Sequence, residues 1–561
     1  MSEKKQKKGT DKDSVKVSVQ KSGSGLQRII CDILPPAAVI ITIAALVFYT
    51  LFFLNHLMHS DMAAEVLLSK LLRDEGRLIT DSWYYSTEIR ILYSQLVMTP
   101  LFYVFSDFHT VKVISIFIFL IFLILAFHFL AKRFGFSRTA YFLALLLLLS
   151  PWSNEYLDMM FLGDFYTSQT ICMYVFVSFI IAGIAGKTEV KAQDKKKKGI
   201  RIAGYVFFAV FSVLLGLSGM RYLACLFAPL FLAFLLELAD KKADGSRVTG
   251  IKDVSKDPVF FKLAQISGYT LCALFGYLIH RFYLSTHYSF DNTSAVSFVP
   301  LSDVPGRVSK ALYQMIEFFG YRDGVGAVSL LGISNAIKFM FFIAFICVIV
   351  SLFGKRKDLE QNERVFLYFF IFLFLINLYM LIFTDVLMQY RYWIPVFIIG
   401  VLLVGIYVKR TDGLPQCKVL ILFFCLSSLL CLYSELWQDV KFDDCAKRQG
   451  YMAFLEKEGY EFGYATFWNG PVTEYLSNGR IHVGDFTADD AGDIVPYEWL
   501  TPKSYYKEGY HKGKTFLLLA RTEEAGMLNG DFTVMEDAER VYEDEYYAVY
   551  EGSGMYLFSK D

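Results

Sequence analysis

The sequence has no GxxxxGK[ST] loop, no HExxH, no GxSxG and no GxGxxG set between a strand and a helix. Nucleotide hydrolysis, zinc-peptidase chemistry and a dinucleotide cofactor therefore find no support in it. Of the nine cysteines most fall inside apolar runs, with Cys445 the exception, and no spacing is that of a metal site or a disulfide framework. They read as small apolar residues of a core. Net charge is absent too, with 55 Lys and Arg against 55 Asp and Glu. So is a clear internal repeat of spans such as many transporters carry. No cleavage-site pattern follows the first apolar run, so that run is expected to be a retained anchor.

What is present is apolar surface: 55% of residues are hydrophobic and 17% aromatic. A helix crossing a bilayer needs about 20 mostly apolar residues, and backbone groups in lipid must be satisfied within it. Eleven runs qualify, near 34–54, 111–131, 139–152, 167–186, 202–219, 222–239, 263–284, 336–353, 365–384, 392–408 and 418–433. The expected fold is mainly α, a polytopic transmembrane helix bundle. The run 139–152 is short, and becomes a span if it tilts little and Trp152 anchors it at the interface.

The zero net charge hides an asymmetry. Lys4, Lys5, Lys7, Lys8, Lys12, Lys16, Lys21 and Arg28 mark residues 1–30 as a basic cytoplasmic tail. Lys132-Arg133 with Arg138, Lys187 to Arg201, Lys241 to Lys262, Lys355 to Arg364 and Lys409 to Lys418 then fall on alternate loops, as inner loops should. The loops 55–110 and 285–335 are expected outside. Leu92 to Phe105 is apolar but holds Pro100, and counting it as a span would invert every basic loop. It is read as a helix lying at the interface or re-entering from it.

After Tyr433 the composition changes. Residues 435–561 carry 25 Asp and Glu against 12 Lys and Arg. Lys514 to Ala520 and Glu545 to Tyr550 read as strands, and Met452 to Gly459 as a short helix stopped by glycine. A small α/β or α+β domain outside the membrane is expected to follow the bundle of residues 31–434.

Several charged residues on the outer side could carry chemistry. Asp61 stands just beyond the first span, and Glu65 shares its face if the stretch is helical. An interfacial carboxylate can act as a general base towards a hydroxyl or help hold a cation. Asp61 could equally cap the helix. Glu155, Asp158 and Asp164 form a second acidic set that either converges with the first or is ordinary solvated loop. Arg221 and Arg391 lie at outer ends of spans among aromatics, with His280 and Arg281 near another. A guanidinium there suits a lipid phosphate through paired hydrogen bonds, or serves as a structural ion pair or headgroup anchor.

The chain resembles the GT-C superfamily of membrane glycosyltransferases, which includes protein O-mannosyltransferases and aminoarabinose transferases. The residues carrying the resemblance are Asp61 after the first span, Pro100-Leu101-Phe102-Tyr103, Ala131-Lys132-Arg133-Phe134-Gly135, and Ser150-Pro151 ahead of Asp164. The RYWIP element at Arg391–Pro395 adds to them. Gly463 to Asn469 is similar to text in outer domains of some bacterial relatives. The resemblance implies a polyprenyl-phosphate sugar donor, a glycan, lipid or protein acceptor, and transfer at the outer face. It also implies Asp61 as catalytic base, with Asp164 matching a second-loop acid by spacing. Met62 stands where many members have Glu, which leaves acceptor type and a divalent cation open. No nucleic-acid partner is expected. The rival readings are a transporter or flippase of lipid-linked glycan, or a non-enzymatic membrane-anchored surface protein.

Overall fold

A computed structural model describes residues 25–182, 195–243, 257–290, 296–437, 443–489, 494–528 and 538–552. The tail before residue 25, Lys187 and most of the 241–262 loop lie outside the described residues, as do the side chains of Lys195–Lys198.

Nine helices among the described residues are long and apolar enough to cross a bilayer. They are Ile29–Leu57, Phe108–Arg133, Gly199–Leu217, Leu223–Lys241, Pro258–His287, Leu330–Gly354, Gln361–Phe383, Tyr390–Thr411 and Pro415–Trp437. The protein is an integral membrane protein. The expected span at 167–186 is the second arm of a broken pair, Asn154–Leu162 and Thr167–Ala182, bent by 72°. The break falls at Gly163-Asp164, where Asp164 takes φ 64°, a conformation that costs an L-residue about 1–2 kcal/mol. The run 139–152 becomes the helix Arg138–Leu149, whose 12 residues reach only about 18 Å. It survives by enclosure, with Ala140 and Leu143 through Leu149 all buried. Trp152 is not the interfacial anchor the sequence suggested. Its indole is fully buried, stacks on Phe341 at 3.9 Å and donates to the Leu147 carbonyl at 2.8 Å.

Small residues let two helices, Gly199–Leu217 and Pro258–His287, cross closely. A Cβ on Gly216 would lie 1.9 Å from the Ala273 carbonyl oxygen, and one on Gly276 2.1 Å from that of Val213. Helices packed in lipid gain from such backbone approach. At the basic end of the bundle, Lys409 donates to the Phe134 carbonyl at 2.7 Å and to Glu363 at 3.0 Å. Arg364 grips Glu237 with two bonds of 2.6 and 2.7 Å. The opposite end carries the longer loops. There Leu92–Phe105 forms the seven-residue helix Gln95–Leu101 containing Pro100, too short to cross.

The C-terminal region packs on that same end. The main sheet comprises β3 (Phe462–Thr466), β4 (His482–Ala488), β5 (Ile494–Pro496), β7 (Thr515–Ala520), β8 (Glu539–Glu543) and β9 (Tyr547–Glu551), ordered β5-β4-β3-β7-β9-β8. β3 runs parallel to both β4 and β7, and the outer pairs are antiparallel. Side chains alternate as the pleat requires. Ala465, Val483, Phe516 and Leu518 face Tyr451 and Leu455 of the helix Asp444–Glu458. Phe462, Tyr464, Phe486 and Leu517 face Tyr505 and Tyr506, together with Tyr84 from the first long loop. That helix starts earlier than its sequence suggested, because the Asp443 side chain caps it by accepting from Ala446 N, and Gly459 ends it at φ 74°. A second, three-stranded sheet joins loop to domain: β1 (Trp83–Tyr85) pairs with β2 (Ser289–Phe290) and with β6 (Thr501–Pro502). The Asn478 side chain also accepts from Phe108 N at 2.8 Å, at the head of the helix Phe108–Arg133.

Candidate functional site

The helix Ser60–Glu75 opens the first long loop and Gly76 ends it in the left-handed region at φ 64°. Its cap position is His59, with extended backbone, so Asp61 lies in the first turn and does not cap it. A carboxylate there is favoured by the helix dipole. The His59 ring lies 3.1 Å from an Asp158 oxygen and rests against the Phe165 ring at 6.1 Å. Burial pulls the imidazole pKa down, but the charge and hydrogen bond of Asp158, and then the charge of Asp61, outweigh it and leave the pKa raised. Asp158 of the second loop and Asp61 of the first thus both favour the protonated imidazole.

Glu155 stands one turn before Asp158 and reaches Arg391 Nη1 at 3.7 Å. Arg322 holds the neighbouring Asn154 at 3.0 Å and Glu435 at 2.7 Å, and Lys338 completes that set on Glu435. Arg391 belongs to the turn Tyr390–Trp393. Beside that turn an apolar groove of about 270 Å³ runs between helices, lined by Phe318, Phe345, Phe374, Trp393 and Phe397 among others.

The remaining sequence-chosen residues lie elsewhere. Asp164 is buried against Lys112 at 3.4 Å, with side chains 2% and 0% exposed. Glu65 is buried one turn past Asp61 and accepts from Ser94 at 3.1 Å and from Gln95. Burial pushes its carboxyl up to about 7, against the pull of Arg90 and Ser94. Arg221 lies 3.2 Å from Glu88 and over the Tyr166 ring at 5.3 Å. Glu88 is shared with Arg90, which also donates to Tyr93 at 2.7 Å. This second group borders a cavity of about 310 Å³ lined by Glu65, Glu88, Arg90 and Leu500 of the C-terminal region. His280 joins this second group's segment, accepting at 3.4 Å from the backbone N of Ile89, which stands between Glu88 and Arg90.

Two acidic sets distant in sequence therefore meet, through His59, while Arg391 and Arg221 serve different groups. Sequence reasoning missed His59, Glu88, Arg90, Lys112 and Arg322. Lys112 could have been found, since a lysine in the second turn of an apolar helix needs an anionic partner. For the divalent cation, no group of three or more His, Cys, Asp or Glu among the described residues could hold a metal ion. Asp158 is paired with His59 and Glu155 with Arg391, so the side chains as placed among the described residues form no metal-ligand set.

The sequence matches no protein-family model and no curated protein. Among solved structures the fold is similar to the crystal structure of the Archaeoglobus fulgidus oligosaccharyltransferase in complex with zinc and sulfate. The match has a TM-score of 0.44 and 12% identity, and covers 86% of this chain and 68% of that one.

Proposed function

We propose that the protein is a membrane glycosyltransferase of the GT-C kind. It moves a sugar from a polyprenyl-phosphate donor to an acceptor hydroxyl at the outer face of the membrane, for cell-envelope glycan or glycoconjugate synthesis. The observation that carries this reading is the convergence of Asp61, the His59–Asp158 pair and the Glu155–Arg391 pair beside an apolar groove. A carboxylate, an imidazole and a guanidinium lie near a slot suited to an isoprenoid chain, whose lining includes Trp393, two residues from Arg391.

The chemistry follows from the charges. Asp61 takes the proton of the acceptor hydroxyl as its oxygen attacks the anomeric carbon, with inversion. The bond from that carbon to the phosphate oxygen breaks, and its electron pair stays on the lipid phosphate. Arg391, exchanging Glu155 for phosphate, stabilises the charge that develops, and His59 adds positive potential nearby. Asp158 holds His59 in place. The Arg221 group and its cavity would receive the acceptor, whose class is glycan, lipid or protein. No step passes through a metal ion.

The test is direct. Purified protein is incubated with a panel of prenyl-phosphate sugars and an acceptor mixture, and release of free prenyl phosphate is followed. Release that needs acceptor supports the reading. No turnover of any donor, with the protein folded in a lipid bilayer, overturns it.

A further inference from the structure

Open sheets with parallel strands bind ligands in the crevice at the strands' carboxyl ends, where the chain's order reverses. Here the chain runs from β3 to β4 on one side and later returns to β7 on the other, both parallel to β3. The switch point therefore falls between the carboxyl ends of β3 and β7, at Thr466 and Ala520.

Polar groups converge there. The Glu523 carboxylate accepts from Thr466 Oγ1 at 2.6 Å, from Ala520 N at 2.8 Å and from Asn469 Nδ2 at 3.3 Å. The bond to Ala520 N is what a helix cap requires, since Glu523 opens the helix Arg521–Leu528. Capping leaves the pull on Thr466 and Asn469 unexplained. It also leaves Trp468, next to Asn469, which is 64% exposed. The indole is braced from below by buried Phe467 at 5.4 Å, which packs on Tyr497 at 5.9 Å, and Tyr497 stacks with Trp499 at 6.4 Å. Behind the same loop, Asp485 on β4 is wholly buried with neither carboxylate oxygen hydrogen-bonded. One of those oxygens presses on Gly470, where a Cβ would come within 2.1 Å of it. A buried polar group without a partner is costly, and binding sites are where such costs are tolerated.

The charge decides the ligand class. A carboxylate at the centre repels phosphates and acids, and Arg521 is turned to Glu524 and to Glu543 at 3.0 Å. An open indole offers its face to C–H bonds, while the half-buried Glu523 carboxylate beside it accepts from vicinal hydroxyls. A neutral pyranose ring has both surfaces. We propose that the carboxyl edge between β3 and β7 is a saccharide-binding site. Trp468 is its platform, Glu523 is its hydroxyl partner, Asn469 and Thr466 hold that carboxylate in place, and the ligand is a neutral sugar unit of a glycan.

The full-length protein in lipid nanodiscs is titrated with cellobiose, maltotriose and chitotriose, read by saturation-transfer NMR and tryptophan fluorescence. At least one should bind. Trp468→Ala should weaken that binding by about 10-fold, the worth of an aromatic stack, whereas Trp468→Phe keeps most of it. The side chain is exposed, so the melting temperature of Trp468→Ala should match wild type. Inorganic phosphate should not compete. Failure of all three sugars to bind, equal binding by Trp468→Ala, or displacement by phosphate would each overturn the proposal.

Discussion

Asp61 is in the first turn of its helix while His59 holds the cap, so an amide at position 61 removes no capping bond. At most it forfeits a dipole contribution of about 0.3–1 kcal/mol. On the proposed mechanism Asp61→Asn yields a folded protein that binds donor but transfers sugar at least ~100-fold more slowly, the lower end of what a positioned base supplies. Wild-type turnover in this variant would move the base to Asp158. Arg391 makes a different prediction, because its guanidinium can grip phosphate in a plane and an ammonium cannot. Arg391→Lys should fold normally and bind a prenyl-phosphate sugar more weakly. Unchanged donor affinity in Arg391→Ala would reduce this arginine to an anchor for Glu155. Glu65 gives a pH signature. Its carboxyl is raised to about 7 when folded against 4.5 when free, so the folded state holds the proton more tightly. Stability from this group is complete below about pH 4.5 and is lost as pH rises through 7. Glu65→Gln removes the dependence. Melting temperatures of wild type and variant should diverge between pH 5 and 8, with wild type losing up to about 3 kcal/mol relative to the amide. Parallel curves would contradict the assignment.

At the level of elements, the break between Asn154–Leu162 and Thr167–Ala182 depends on Lys112. Lys112 Nζ reaches both Asp164 and the Gly163 carbonyl at the bend. Lys112→Ala strands a buried carboxylate and should cost about 3–5 kcal/mol, whereas Lys112→Met with Asp164→Asn should cost much less. Equal melting temperatures for the two variants would show that the pair is not coupled. The bend was not legible in the sequence because an apolar run reads alike whether straight or broken, and the cause lies on another helix. The long spans were legible because about 20 apolar residues have few alternatives. So were β7 and β9, whose β-branched and aromatic runs lie close to their sequence-expected ranges. The meeting of His59 with Asp158 was not, since periodicity ranks residues along one helix and says nothing of which loops touch. Trp152 was misread for a related reason: tryptophan favours interfaces and cores alike, and only Phe341 decides between them.

For the whole molecule, the described basic residues Lys132, Arg133, Arg364, Lys409 and Arg410 gather at one end and the candidate site with the C-terminal region at the other. We propose that the basic end is cytoplasmic, by the Lys and Arg asymmetry. In cells stripped of other reactive thiols, Trp468→Cys should react with an impermeant maleimide and Lys196→Cys should not. The reverse pattern would invert the protein.

The pairing of β1 with β6 has a further consequence, in the order of synthesis. β1 emerges with the first loop, but its partner β6 is made only after the last span has left the ribosome. Until then Trp83 and Tyr84, both buried in the finished protein, have nothing from β6 to cover them. Pairing between strands so far apart in the chain is slow and comes late. A chain that stops before β6 therefore keeps a bare strand edge on the loop that carries the candidate site. Truncated copies would be marked for capture by chaperones or proteases, and the pairing of β1 with β6 would report that the whole bundle had been inserted.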